Sequence, residues 1–349
     1  MGRTLPLLLC ALLLAAVPAA AKPSASRLLK LLPQAQGDGQ LRIIRALGRS
    51  SRPKEAVPAL LPLFDPRGDS PRRSAVIAQA LGRLGDERAA APLLAAWDYL
   101  VSVRQQMDLT AQVQVLRLAV IEALGGVGGE GAARAMTEAL SDPDPAVVEA
   151  AARALGAMRE RGAVDALAQL AGKEGGVGQA ACEALGEIGD AKGRPALERA
   201  MAAPTPAQSA PAAYGLARLG RKEGAKALQS MLDGALTGEP SARLAAYYLT
   251  KLDKNSGLEF LVQLLESEMG GGLPVQAAEA LGKSGNARAV LPLTEAVSDA
   301  EPELRLVIAQ ALGRLGGTRA TAALKKLRND DTMAVRVAAA AALEDLGED

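Results

Sequence analysis

The chain has 349 residues, of which 49% are hydrophobic but only seven are aromatic, so its interior must be built mainly from Ala, Leu and Val. Forty basic and 39 acidic residues leave a formal charge of +1, which provides no broad electrostatic footprint for nucleic acid or an anionic membrane. Histidine is absent, which excludes Ser-His-Asp and Cys-His nucleophiles, histidine general bases and histidine metal sites. We therefore expect no catalytic residue, no metal, no cofactor and no nucleic-acid partner.

The first 21 residues predict a cleaved secretory signal. An apolar run of about 13 residues follows Arg3, and three alanines stand immediately before Lys22. This run is short for a membrane span, and small residues are typical of a signal cleavage site. We expect residues 22–349 to form an exported protein, periplasmic or extracellular, with no membrane span once the signal is removed. The alternative is an uncleaved anchor that tethers a structural component to the envelope.

A recurring "ALG" motif divides the remaining chain into repeats. The decamer VIAQALGRLG occurs twice, at residues 76–85 and 307–316. Alignment on its leucine gives ten anchor positions: Leu47, Leu81, Leu124, Leu155, Leu185, Leu216, Leu249, Leu281, Leu312 and Leu343. Neighbouring anchors are 30 to 34 residues apart, except for 43 residues between the second and the third. A fixed period of this length indicates a solenoid of stacked repeats.

The wide spacing between the second and third anchors marks an insertion at about residues 97–117. It contains Trp97, which is the only tryptophan, and Tyr99. Extra residues at this point either lengthen a helix or project as a loop, and insertions in repeat arrays often lie on the binding face. We therefore take Trp97 and Tyr99 as candidate partner-binding residues, with a tolerated surface extension as the alternative.

Each copy is expected to be a hairpin of two helices. In the fourth copy, Asp144 is placed to cap the second helix and Pro145 to begin it. Glycine four residues after the anchor is expected to end that helix in the left-handed conformation, at Gly85, Gly128, Gly189, Gly220, Gly285, Gly316 and Gly347. Another glycine directly follows the anchor, inside the helix, where it costs about 1 kcal/mol relative to Ala. This second column predicts close approach of a neighbouring backbone, at Gly48, Gly82, Gly125, Gly156, Gly186, Gly282 and Gly313.

Residues two before and two after each anchor point away from it and are expected to form an exposed stripe. In the fifth copy this stripe holds Glu183 and Glu187. Paired carboxylates suit acid-base chemistry or a cation, but Arg153 and Arg218 in the adjacent copies favour a salt-bridge ladder. Cys182, in a column filled mainly by Ala, is expected to be a buried, inert thiol.

The stripe carries tyrosines in the sixth and seventh copies. Tyr214 is followed four residues later by Arg218, and Tyr247 is followed in the same way by Lys251. Because tyrosine and arginine are over-represented among energetically important interface residues, these four are candidate partner-binding residues. The alternative is that the tyrosines pack across the repeat junction and serve only folding.

The pattern AAxALGxLG followed by xRAxxxLxxAL, at about 31 residues per copy, resembles the short HEAT-like repeats of the phycobilin-lyase type. The resemblance extends from about residue 24 onward and implies an all-α fold, a right-handed α-solenoid of about ten HEAT-like hairpins. It also implies that the second helix of each pair lines the concave side. One relative with such repeats is an iron hydroxylase with a His-Glu metal motif, which a chain without histidine cannot contain.

These observations predict an exported, non-catalytic scaffold or adaptor that binds a protein partner along the concave groove. The alternative is a lyase-type enzyme subunit that holds a small ligand in the same groove. A deep pocket that converges on Glu183 and Glu187 would favour the enzyme. A broad, shallow groove would favour the scaffold.

Overall fold

The computed structural model describes residues 25–106, 111–235, 238–267, 272–298 and 300–348. The predicted signal, residues 1–21, and the centre of the insertion, residues 107–110, lie outside the described residues. The described residues form α-helices and short 3-10 turns, without a β-strand. The odd-numbered helices are α1 Ala25–Leu31, α3 Pro53–Leu60, α5 Ala90–Gln106, α7 Glu130–Ala139, α9 Val164–Leu170, α11 Arg194–Met201, α13 Lys222–Gly234, α15 Asn255–Leu265, α17 Val290–Ala296 and α19 Thr318–Leu327. The even-numbered helices are α2 Gly37–Gly48, α4 Pro71–Leu84, α6 Ala111–Val127, α8 Pro145–Met158, α10 Gly175–Ile188, α12 Pro206–Arg218, α14 Pro240–Lys251, α16 Leu273–Ser284, α18 Pro302–Leu315 and α20 Met333–Leu346.

Each even-numbered helix contains one anchor leucine. All ten leucines are at most 1% exposed, because each packs beneath its own hairpin and its neighbours. An odd-numbered helix and the even-numbered helix that follows it make one hairpin, so the described chain has the ten hairpins that the motif predicts. The expected all-α fold of the solenoid class is confirmed.

The helices group into two compact units that divide between Leu167 and Ala168, within α9. In the first unit, α4 packs against α2 and α6, and α6 packs against α8. In the second unit, α10 packs against α12, and α18 packs against α16 and α20. Even-numbered helices therefore stack on one another within each unit, as one layer of the repeat.

The predicted ends of the even-numbered helices are confirmed. Asp144 accepts a hydrogen bond from the Ala146 backbone N–H at 2.9 Å, and Pro145 begins α8. All seven glycines of the cap column have φ between 60° and 77°, but Gly316, with ψ of −164°, does not adopt the predicted left-handed helical conformation. Three copies place other residues there, namely Ser51, Arg159 and Asp253, and the last two adopt the same left-handed conformation, with φ of 53° and 58°. The position thus imposes its backbone geometry on two of the three residues that are unsuited to it.

The second glycine column meets the next hairpin, as predicted. A Cβ added to Gly82 would lie 2.5 Å from the Cα of Ala123, the residue before the next anchor. The same clash with the next even-numbered helix, at 2.6 to 2.8 Å, faces an added Cβ at Gly48, Gly125, Gly186, Gly282 and Gly313. Glycine is needed here because two helix backbones touch with only a methyl group, or nothing, between them.

The insertion lengthens both helices of the third hairpin, since α5 and α6 each contain 17 residues. Arg117, near the start of the longer α6, is fully buried, and its Nη2 lies 2.8 Å from Oδ2 of Asp142 in the loop between α7 and α8. The ninth hairpin repeats this contact, because Arg305 Nε lies 2.8 Å from Oδ2 of Asp330 in the next loop. Both arginines stand seven residues before their anchor, so the third and ninth copies share this inter-hairpin ion pair.

Candidate partner-binding face

The residues two before and two after each anchor lie mostly on an exposed face, which we call the even-helix face. Those exposed at the first position are Gln79, Glu122, Arg153, Glu279, Gln310 and Ala341. Those exposed at the second are Arg83, Gly126, Ala157, Arg218, Lys283, Arg314 and Asp345. The predicted stripe is therefore confirmed for most copies. The residues that depart from it, being half-buried or buried, are Arg45, Arg49, Glu183, Glu187, Tyr214, Tyr247 and Lys251.

Tyr214 was expected on this stripe, but that prediction is wrong because its side chain is buried, with 1% exposure. The reason is its place on α12, which packs between α10 and α14. Its ring lies 5.1 Å from that of Tyr248 on α14, and its hydroxyl donates to Oε1 of Glu187 on α10 at 2.6 Å. Side chains from both flanking helices thus cover Tyr214. It packs across the repeat junction, as the alternative interpretation of the tyrosines predicted.

Glu183 joins two hairpins that are not neighbours. Its Oε2 lies 2.6 Å from Nζ of Lys251, and its Oε1 accepts from the Tyr248 hydroxyl at 2.9 Å and from Gln179 Nε2 at 3.0 Å. Burial raises the pKa of Glu183, but the charge and hydrogen bond of Lys251, helped by Gln179 and Tyr248, outweigh that effect and hold the pKa below its ordinary value. The carboxylate therefore stays ionised and links α10 to α14 over α12.

Glu187 completes the cluster with a second ion pair. Arg218 Nη2 lies 2.8 Å from its Oε2. Arg153 instead pairs with Glu149 in its own helix, at 2.9 Å. The predicted salt-bridge ladder is confirmed for Arg218 and wrong for Arg153, because the i,i+4 partner within α8 is nearer.

The remaining two residues of the aromatic prediction are partly accessible. Tyr247 is half-buried, with its ring 4.8 Å from that of Tyr248. Lys251 has a side chain that is 22% exposed, and its ammonium lies 4.6 Å from the centre of the Tyr214 ring. Of the four candidates here, Tyr247 and Arg218 offer the most surface to a partner.

An open groove of about 360 Å³ lies beside Tyr247. Its lining combines polar and apolar side chains from α10, α14 and α16: Gln179, Pro240, Arg243, Leu244, Tyr247, Gln276, Glu279, Ala280 and Lys283. Glu183 and Glu187 are not among these residues. The groove therefore does not converge on the paired carboxylates.

The insertion residues do not form an exposed aromatic patch. Trp97 is 4% exposed, and the guanidinium of Arg117 lies 5.6 Å from the centre of its ring. The expectation that this ring is open to a partner is wrong, because the side chain is buried. Tyr99 is half-buried, and the guanidinium of Arg67 covers its ring at 5.0 Å.

Cys182 is buried, as predicted, and its Sγ lies 3.4 Å from the carbonyl oxygen of Ala171. Burial, together with the nearby charge of Glu183, raises the pKa of this thiol to about 12. The thiolate is scarce at neutral pH, so the side chain acts as a small apolar group.

Sequence reasoning missed Tyr248, which is fully buried and lies at the centre of the cluster. A signal for it was present. Tyr248 stands directly before the anchor, where every other copy has alanine or, at Gly215, glycine. A large aromatic side chain in a column of small residues indicates a local change in packing.

Two further findings concern the described residues as a whole. No helix among them is long and apolar enough to cross a membrane. In the same described part of the chain, no three acidic or cysteine residues cluster closely enough to hold a metal ion.

A family profile described as HEAT repeats matches residues 25–107, 107–177 and 258–344. Human deoxyhypusine hydroxylase in complex with glycerol is 20% identical over 75% of this chain and 100% of that chain, with a TM-score of 0.39. The complex of CpcE and CpcF of phycocyanin lyase from Nostoc sp. PCC7120 is 21% identical over 77% of this chain and 92% of that chain, with a TM-score of 0.39. An engineered protein is 21% identical over 92% of this chain and 98% of that chain, with a TM-score of 0.33. No curated protein sequence matches.

Proposed function

Since the chain belongs to the HEAT-repeat family, we propose that it is an exported, non-catalytic scaffold that binds a protein partner along its even-helix face. HEAT repeats suit protein interaction because each hairpin buries one side against its neighbours and leaves another side free to bind. The export part of the proposal is supported by the apolar run after Arg3 and the alanines before Lys22.

The proposal that the protein is not an enzyme is supported chiefly by the partners of the two candidate carboxylates. Glu183 and Glu187 each accept a tyrosine hydroxyl and each contact a cation, so their oxygens are already used within the protein. A general acid needs a raised pKa, whereas that of Glu183 is lowered: burial raises it, and Lys251 more than offsets the rise. The pKa values of Tyr214 and Tyr248 are raised, chiefly by burial, so both phenols stay neutral.

The groove beside Tyr247 supports binding of a polypeptide more than binding of a small ligand. It is open, and its lining supplies donors and acceptors from three helices, among them Arg243, Gln276 and Glu279. Small-molecule sites are usually enclosed and mainly apolar. A peptide segment, with a backbone that both donates and accepts, matches this mixed lining better.

Site-specific photo-crosslinking in the native cells tests the proposal. A photoreactive amino acid at Gln276, in the groove, or at Gln79, on the even-helix face, should capture one and the same protein. The matched controls are Arg199 and Glu259, exposed positions on the odd-numbered helices α11 and α15. Equal capture from the control positions, or a small molecule bound in the groove and turned over, would refute the scaffold proposal. An intact mass that begins at Lys22 is expected, and retention of Met1 would refute cleavage and favour the uncleaved anchor.

A further inference from the structure

Another cavity, of about 620 Å³, lies within the second unit at one end of the eighth and ninth hairpins. Its walls come from the end of α15, the start of α16, the end of α17 and the start of α18. Every residue that lines it is at least partly exposed, except Leu265. A side chain of a bound protein can therefore enter the cavity from solvent.

The lining combines apolar walls with carboxylates. Leu265, Val275 and Leu304 contribute apolar surface. The charged side chains among the described lining residues are four exposed glutamates, for which we name the cavity the acidic groove: Glu266, Glu295, Glu301 and Glu303. A cleft whose charges all have one sign focuses its electric field and raises the local concentration of the opposite charge. The acidic groove therefore attracts cations.

The sequence around the acidic groove is acidic as well. Residues 255–304 contain eight acidic and two basic residues, in a chain whose formal charge is only +1. Arg305, directly after Leu304, turns to the next hairpin, where it contacts the carboxylates of Asp330 and Asp331. Its positive charge is balanced there, so the field of the groove stays negative.

Helix stability accounts for only two of the four glutamates. The N-terminal end of a helix favours a negative charge, and the C-terminal end disfavours it. Glu301 and Glu303 stand at the start of α18, where their charge is favoured. Glu266 directly follows α15, and Glu295 lies in the last turn of α17, so both stand where the helix disfavours a carboxylate. A cation bound between them would offset that cost.

We propose that the acidic groove binds a basic segment of the partner protein. The inference rests on the proposed function and names the chemistry of that partner. Lysine and arginine carry a cationic head on a long apolar stem. The stem can pack against Leu265, Val275 and Leu304 while the head lies among the carboxylates. An apolar or an acidic segment would match only one part of this lining or neither.

The position of the acidic groove favours a polypeptide over a small cation. Val275 lines the acidic groove, and Glu279, one turn further along α16, lines the groove beside Tyr247. Four residues of a helix rise about 6 Å, a distance that about two residues of an extended chain span. One segment of a partner can therefore occupy both grooves, whereas a small cation occupies one. Polyamines and divalent metal ions are accordingly competing outcomes of the test.

Fluorescence anisotropy of the full chain at low ionic strength provides that test. The probes are a labelled peptide rich in Lys, Arg and Ala and the same peptide with Gln in place of each cation, and spermidine and Ca²⁺ are added as competitors. The groove variant is Glu266→Gln/Glu295→Gln, which removes the two carboxylates at helix C-terminal ends. The control variant is Glu138→Gln/Glu259→Gln, which removes two exposed carboxylates of the odd-numbered helices α7 and α15. The two variants have the same net charge, so only the position of the lost charge differs.

We expect the parent to bind the basic peptide and not the neutral one. The groove variant should bind it at least tenfold more weakly, or about 1.4 kcal/mol, and the control variant should match the parent. The groove variant should also melt no lower than the parent, because the carboxylates that it lacks are disfavoured by their own helices. A lower melting temperature would show that the glutamates serve folding, and equal weakening in both variants would show that only net charge matters. Either result overturns the inference.

Two further outcomes concern the class of ligand and the proposed function. Tighter binding of spermidine or Ca²⁺ than of the peptide would identify a small-cation site and overturn the inference as well. Crosslinking at Gln79, in the first unit, tests the proposed function separately. Persistence of that crosslink with unchanged peptide binding in the groove variant would refute the basic segment and leave the scaffold standing.

Discussion

Gly82 allows a direct test of why glycine follows the anchor leucine. A Cβ at this position would lie 2.5 Å from the Cα of Ala123 and 3.0 Å from its Cβ. Ordinary contacts of this kind begin near 3.4 Å. The Gly82→Ala variant can form only if α4 and α6 separate by roughly 1 Å, and the tight packing of protein interiors resists that movement.

The expected loss follows from two opposing terms. Overpacking of this kind costs about 1–3 kcal/mol, whereas replacing glycine by alanine inside a helix gains about 1 kcal/mol. We therefore expect Gly82→Ala to lower the free energy of unfolding by up to about 2 kcal/mol. Gly39, in α2, is the matched control, because no atom of a neighbouring element lies within 4 Å of its added Cβ. Gly39→Ala should stabilise the protein by about 0.5–1 kcal/mol.

Urea unfolding followed by far-ultraviolet circular dichroism measures both variants. Midpoint and slope are compared together, because repeat arrays do not always unfold in a single step. Opposite shifts for the same chemical change would show that the packing environment decides the sign. Stabilisation by Gly82→Ala as well as by Gly39→Ala would refute the close-approach explanation.

Three further substitutions test other parts of the structure. Arg159→Gly should stabilise by about 0.5–1 kcal/mol in thermal unfolding, because φ there is 53°; an equal gain from alanine would contradict the left-handed-cap explanation. Asp142→Ala should destabilise by about 3 kcal/mol in urea unfolding, since Arg117 would stay buried without the carboxylate now 2.8 Å away, and a loss below about 1 kcal/mol would count against a buried ion pair. Burial raises the pKa of Glu183, but the charge and hydrogen bond of Lys251 outweigh that effect, so the pKa lies below its ordinary value. The ionised carboxylate therefore stabilises the folded protein above the ordinary carboxyl pKa, and this stabilisation is lost as the pH falls below about 4. The parent should therefore lose more thermal stability on acidification than Glu183→Gln, and parallel losses would contradict that assignment.

The sequence by itself determined the repeat, its number and the ends of its helices. Anchor leucines, capping Asp144 and left-handed glycines act within a few residues of the chain, so their spacing alone identifies ten hairpins. The inter-hairpin glycine column was also predictable, because a helix-breaking residue that recurs inside helices indicates close packing.

Only the tertiary structure decided which residues of the stripe face solvent. Tyr214 and the exposed Gln79 hold the same position in the repeat, two residues before the anchor, yet Tyr214 is buried because Glu187 of α10 and Tyr248 of α14 pack against it. Trp97 is likewise buried, and the Arg117 guanidinium near its ring pairs with Asp142 of the next hairpin. Helical periodicity describes one helix at a time, whereas burial on a repeat array depends on the length and charge of side chains one and two hairpins away.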